Sequence, residues 1–168
     1  MVLLAMAQNS LHVGSYNIRY ANHGDEKNGN GWSIRCEKLC NVIKYEQWDI
    51  FGAQEVLHKQ LQDINSDLKD YGHIGKGRND GKTKGEYAPI FYKKSRIKCL
   101  KDGQFWLSET PDIVGSVGWD ASMERICTWG YFEDKTTKWR FWFFNLHMDH
   151  RGTMARIESS RLILAKIK

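Results

Sequence analysis

The chain has 168 residues, with 25 basic against 20 acidic side chains and a formal charge of +5. At 41% hydrophobic and 27% charged, with two prolines and no repeat, it is not a disordered chain, a collagen, a coiled coil or a solenoid. No apolar run approaches the ~20 residues a membrane-spanning helix needs, so stable membrane insertion is not expected. A charge of this size favours an anionic partner only mildly, since it also serves solubility.

Met1-Val-Leu-Leu-Ala-Met-Ala7 is a short apolar run ending in an A-x-A pattern. It reads as the tail of a signal peptide over residues 1–7, making the mature protein secreted or periplasmic; a hydrophobic N-terminal strand is the alternative. Leu11 to Tyr16 alternates and meets Asn17, which predicts a strand with a polar end. Asn22 to Gly31 is rich in Asn and Gly and reads as loop. Ser33 is placed as the N-cap of a helix carrying Cys36, Leu39, Cys40 and Ile43 on one face. Asp49 to Ala53 is a short buried strand ending at Gln54-Glu55, and Leu57, Leu61, Ile64 and Leu68 mark a second helix.

Gly72 to Gly85 reads as a mobile, glycine-rich loop with Lys76, Arg78, Lys82 and Lys84. Such a basic cluster is either a nucleic-acid contact or a solvated loop. Tyr87 to Tyr92 and Ile97 to Leu100 are candidate strands, and Ser108 to Trp119 is loop. Arg125 to Phe132 and Arg140 to Asn145 predict a strand pair turning near Asp134 to Lys138. Thr153 opens a last helix with Ile157, Ser160, Leu164 and Ile167 on one face. Strands and helices alternate first and hairpin-like strands follow, a mixed α/β (α+β) pattern without a linker between domains.

The four cysteines show no CxxC and no zinc spacing. They read as small buried hydrophobes, Cys36 and Cys40 lying one helical turn apart, where a disulfide rarely fits. The seven tryptophans read as core, a sugar- or base-stacking platform being the sharper alternative.

Three polar residues fall where predicted strands end: Asn17, Glu55 and His147. Strand ends are where α/β folds gather reactive groups. Hard cations such as Mg²⁺ take oxygen ligands and keep several waters, so one or two carboxylates suffice, and Glu55 after an apolar strand suits that role. A helix N-cap or a solvated charge is the plainer reading of Glu55. Asn17 suits a metal-bound water or a phosphate oxygen. Asn145, His147 and Asp149 alternate along one extended face. They read either as a histidine poised over a phosphate or as a satisfied strand-end histidine. A transition-metal site from His147, Asp149 and His150 lacks a third well-spaced ligand. Glu86, read alone, is a loop charge.

These segments, in order, resemble the endonuclease/exonuclease/phosphatase superfamily, in its secreted bacterial branch. Ser15-Tyr16-Asn17-Ile18-Arg19-Tyr20 is similar to the opening strand, Gln54-Glu55-Val56 to the metal-binding motif and Gly85-Glu86-Tyr87 through Lys93 to the third motif. Phe105 to Pro111, Trp119-Asp120 and Arg125 to Trp129 look like that branch. Asn145-Leu-His147-Met-Asp149-His150 resembles the Asn-x-His-Leu-Asp strand.

The resemblance implies a four-layer sandwich of two mixed β-sheets flanked by helices, and Mg²⁺- or Mn²⁺-dependent hydrolysis of a phosphate ester. Nucleic acid, a sugar or inositol phosphate and a lipid headgroup all qualify as substrate. It implies Glu55 and Asn17 at the metal, Asn17 and Arg125 toward the substrate phosphate, and His147 on the scissile phosphate. Glu86 becomes the carboxylate partner of His147, and Asn145 completes the catalytic set.

The family's Gly-Asp-x-Asn and Ser-Asp-His motifs do not occur: Gly24-Asp25 is followed by Glu26-Lys27, and Ser66-Asp67 by Leu68. Residues 8–168 are therefore expected to be the N-terminal portion of such a domain, incomplete at the C-terminus and nearly inactive alone. Self-association through an exposed sheet edge is expected as well. The alternative is a non-catalytic binding module, or an inactive fragment, keeping only the scaffold.

Overall fold

The structure, a computed structural model, describes residues 10–167. The signal-peptide reading of residues 1–7 lies outside them. The elements run β1 (Val13–Asn17), α1 (His23–Lys27), α2 (Trp32–Glu46), β2 (Ile50–Gln54), α3 (His58–Asp67), β3 (Tyr71–Ile74), β4 (Ile90–Lys93), β5 (Ile97–Trp106), β6 (Ile126–Asp134), β7 (Arg140–Leu146) and α4 (Thr153–Ile167).

Two sheets form. The first has the order β1-β2-β4-β3 and is mixed, because β1 and β2 run parallel while the other pairs are antiparallel. The second, β5-β6-β7, was expected to be mixed as well and is antiparallel throughout. Its strands follow one another through loops and turns, with no helix to carry a parallel crossover.

The layers follow from which side chains each strand sends to which face. Leu39, Cys40 and Ile43 of α2 and Leu61 and Ile64 of α3 pack on Phe51, Ala53 and Phe91 of the mixed sheet. Ile50, Ile74, Ile90, Ile97 and Phe132 fill the space between the sheets. Phe105, Leu107 and Cys127 face outward from the antiparallel sheet and meet Ile163 of α4. The order is therefore helices, mixed sheet, antiparallel sheet, helix.

Several local expectations are corrected. The segment Asn22 to Gly31 contains α1, because the Asn22 side chain accepts from the Asp25 amide as an N-cap. Gly31, not Ser33, caps α2. Tyr71–Ile74, taken for the edge of a loop, is β3, paired to β4. In α4 the buried residues are Ala155, Ser159 and Ile163, while Ile157, Leu164 and Ile167 are exposed. The sheet already presents Phe105, Trp129 and Phe144 on that side, so α4 turns smaller residues toward it.

Candidate active site

The parallel pairing of β1 and β2 sets Asn17 opposite Gln54, one residue before Glu55. Asn17 Nδ2 donates to Glu55 Oε1 at 2.8 Å, and the Tyr20 amide donates to Oε2 at 3.1 Å. Glu55 takes this position with φ 61°, a left-handed conformation costing an L-residue ~1–2 kcal/mol. The next residue, Val56, bridges Tyr87, whose amide donates to Val56 O at 2.7 Å. That bridge sets Glu86 beside the Glu55 turn. Burial alone would raise the Glu55 carboxyl; the bonds from Asn17 and the Tyr20 amide, with His147 and Arg19 nearby, hold it below its ordinary value.

His147 follows the end of β7 and lines a small cavity with Arg78, Glu86, Glu124 and Arg125. Burial, and then the Arg125 guanidinium, hold its imidazole below the usual histidine value against the pull of Glu55 and Glu86. Burial and Arg125 both favour the neutral form of the ring. Its Nδ1 is buried and has no hydrogen-bond partner among the described residues.

Glu86 does not supply that partner here. Its Oε2 accepts from Arg78 Nη1 at 2.9 Å, because Arg78 belongs to the same turn and brings a guanidinium closer than the imidazole. Asn145 spends both amide hydrogens on Ala53 O (2.7 Å) and Pro89 O (2.9 Å), and its Oδ1 accepts from Gln54 Nε2 at 2.7 Å. It joins the two sheets and positions the strand ahead of His147, with no donor left for a substrate.

Arg125 is 4% exposed; its Nε donates to Asp149 Oδ2 at 3.2 Å and its Nη2 meets His150 Nδ1 at 3.1 Å. Asp149 also accepts from the amides of Ser122, Arg151 and Gly152 and from Ser122 Oγ. Burial would raise that carboxyl, but the Gly152 and Arg151 amides and Ser122 hold it far below the carboxylate range. Asp149 is thus committed to Arg125 and the turn before α4, which removes the His147, Asp149 and His150 metal arrangement.

Sequence reasoning placed Asn17, Glu55, His147 and Arg125 in the site but grouped Arg78 with the exposed lysines. The signal it lacked was burial: the Arg78 side chain is only 12% exposed, while Lys76, Lys82 and Lys84 face solvent. Gln54 was read only as the neighbour of Glu55 and proves to be the other half of the Asn145 bridge.

Asn17 and Glu55 thus meet at one strand end of a two-sheet sandwich, while His147 and the buried Arg125 line one small cavity. Solved structures of the endonuclease/exonuclease/phosphatase family share this fold. A family member from Bacteroides thetaiotaomicron superposes with a TM-score of 0.92 at 48% identity, matching 94% of this chain and 58% of that one. A mannosyl-6-phosphatase of the same organism gives 0.92 and 49%, over 95% of this chain and 59% of its own. An uncharacterized protein of Acanthamoeba polyphaga mimivirus is 30% identical over 125 residues, 70% of this chain and 46% of that protein. The chain thus spans less than two thirds of the length of these relatives. No family model matches it.

Proposed function

We propose that the protein is a divalent-metal-dependent phosphoesterase. The observation that carries this reading is the Glu55 carboxylate, bonded to Asn17 and the Tyr20 amide and within electrostatic reach of His147. Both Glu55 oxygens and Asn17 Oδ1 keep a lone pair beyond the bonds they accept, an all-oxygen donor set that suits a hard cation. Among the described residues no cluster of three or more His, Cys, Asp or Glu converges, so the protein would supply few of the ion's ligands and water the rest. Glu55 and Asn17 would hold Mg²⁺ or Mn²⁺, and the bound ion would neutralise charge on the phosphoryl oxygens.

The chain's own residues do the rest. His147 places its imidazole at the cavity where a phosphoryl oxygen would sit, and Arg125 adds a fixed positive charge to the same pocket. Asn145 keeps the strand before His147 in register with the mixed sheet. The mannosyl-6-phosphatase at 49% identity makes a sugar phosphomonoester the first substrate to try, ahead of nucleic acid or a lipid headgroup. The apolar run before Gln8 supports a secreted or periplasmic location. Turnover by residues 8–168, as the N-terminal portion of such a domain, is expected to be slow. The Gly-Asp-x-Asn and Ser-Asp-His motifs do not occur in the sequence, and loss of a general base alone costs ~10²–10⁴-fold.

The test is hydrolysis of mannose 6-phosphate, an aryl phosphomonoester and a bis-aryl phosphodiester with Mg²⁺, Mn²⁺ or EDTA, by the chain and its Glu55→Ala and His147→Ala variants. Weak, metal-dependent turnover lost in both variants supports the reading. Turnover that survives EDTA or both substitutions overturns it. Folded chain with neither turnover nor metal-dependent stabilisation would leave the binding-module reading in its place.

A further inference from the structure

Arg78 is held from three sides yet has a donor to spare. Its carbonyl accepts from Trp106 Nε1 at 2.7 Å and its amide donates to Glu86 O at 3.1 Å, so the backbone is fixed. Its Nη1 bonds Glu86 at 2.9 Å, and its Nη2 rests on Met123 Sδ at 3.1 Å, a weak acceptor. Its Nε is buried and has no partner among the described residues. Buried polar atoms are nearly always bonded, and an unmade bond calls for an explanation. Three side-chain atoms of the described residues are in this condition, and two of them, Arg78 Nε and His147 Nδ1, belong to residues lining the same cavity. That cavity measures about 10 Å³, room for one oxygen atom.

The two guanidinium groups at this cavity differ in how firmly they are committed. Arg125 is tied to Asp149, which four further donors hold in place. Among the described residues Arg78 has only Glu86 as an anionic partner. Glu86 in turn lies within electrostatic reach of His147. A phosphomonoester carries close to two charges near neutral pH and three terminal oxygens. A diester carries one charge and two non-bridging oxygens. The planar Arg fork can meet two oxygens at once, and the monoester offers it the greater charge and one more terminal oxygen.

We propose, resting on the phosphoesterase reading above, that Arg78 is the residue that selects a terminal phosphoryl group by exchanging partners. A phosphoryl oxygen occupies the cavity and accepts from Arg78 Nε. Glu86, released from Nη1, accepts the Nδ1–H of His147. One exchange satisfies both orphaned atoms and fixes the plane of the imidazole.

The test is calorimetric binding of phenyl phosphate and of methyl phenyl phosphate to the 168-residue chain with Mg²⁺, for the native protein, Arg78→Ala and Arg78→Lys. The native chain should bind the monoester about tenfold or more tightly than the diester, and both variants should bind the two esters alike. The lysine variant keeps the charge and loses the fork, so it remains informative if the alanine variant does not fold. In nitrogen-correlated spectra of the imidazole, phenyl phosphate should move the His147 Nδ1–H signal, and Glu86→Gln should abolish that shift. Equal binding of the two esters by the native chain overturns the proposal. So does a preference kept in Arg78→Lys, or an Nδ1 signal indifferent to Glu86→Gln. Metal-dependent hydrolysis without any Arg78 effect would sink this proposal alone, whereas neither hydrolysis nor ester binding would sink the phosphoesterase reading with it.

Discussion

Asn145 accepts a 2.7 Å hydrogen bond from Gln54 across the gap between the two sheets. The same carboxamide donates to Ala53 O and Pro89 O, and it lies so close to Gly52 that an added Cβ there would overlap it. Asn145→Ala would take a donor from Ala53 O and from Pro89 O, the second of which still accepts from the Ala53 amide at 2.9 Å, and would leave Gln54 Nε2 only its longer contacts to Ser15 Oγ and Gly52 O. Each lost partner costs ~1–3 kcal/mol, and relaxation will recover part, so a loss of about 3 kcal/mol in urea unfolding is expected. Gly52→Ala should destabilise comparably by displacing the same side chain. A loss below ~1 kcal/mol for both would show that the bridge contributes little.

The ends of the strands were legible in the sequence because alternation and apolar runs stop at Asn17, Glu55 and His147. Parallel pairing of β1 and β2 then brings the first two together with no further signal needed. What the sequence did not reveal depends on burial and on competition between partners. Glu86 could be matched to His147 by motif, yet a nearer guanidinium from its own turn holds it. In α4 an apolar stripe along Ile157, Leu164 and Ile167 was visible, but packing chose Ala155, Ser159 and Ile163 instead. Periodicity reports which faces are apolar, and the shape of the facing sheet decides which of them is buried.

Acid should weaken the fold through Asp149. Its native carboxyl is held well below the ordinary 3.8, so the unfolded chain binds its proton more readily. The stabilisation is complete above the ordinary value and is lost as pH falls through it toward the depressed native one. Asp134, held down with Arg96, acts in the same direction. Urea midpoints measured from pH 6 to pH 3 should fall, and Asp149→Asn should flatten that slope. Asp149→Ala strands a buried Arg125 and should cost ~3–5 kcal/mol at pH 7. An unchanged pH slope in Asp149→Asn would contradict this assignment.

Asn17→Asp tests the oxygen site without relying on turnover. It sets a second carboxylate against Glu55 Oε1, now 2.8 Å from the Asn17 amide nitrogen. Like charges at that range repel, so the variant should melt lower than the native chain in EDTA. A divalent ion neutralises the pair, so its stabilisation by Mg²⁺ or Mn²⁺ should be larger than in the native chain; an ion at 100 times its dissociation constant contributes ~2.7 kcal/mol. Calorimetric melting with and without metal decides it, and equal metal shifts in the two proteins would argue against Glu55 and Asn17 as ligands.

The outer edge of β7 has no strand partner among the described residues, and Trp142 on that strand is 53% exposed. Free edges and exposed aromatics favour pairing between chains. Sedimentation velocity should show association that grows with protein concentration and weakens in Trp142→Lys. A monomer at every concentration would remove the edge as an interface.

The thiols should be slow. Burial pushes Cys127 up to about 12 and Cys40 higher still, and it raises Cys36 and Cys99 too. The thiolate is the reacting species, and a thiol at about 12 is ionised only about once in ten thousand molecules at pH 8. All four cysteines are free, so a chromogenic disulfide reagent should count four thiols in urea. In the native protein Cys36 and Cys99, being partly exposed, should react first and more slowly than a free thiol, while Cys40 and Cys127 wait for unfolding. Rapid native reaction at more than two sites would mean that the helix-to-sheet packing around Cys40, or the packing under α4 around Cys127, opens far more readily than their burial implies.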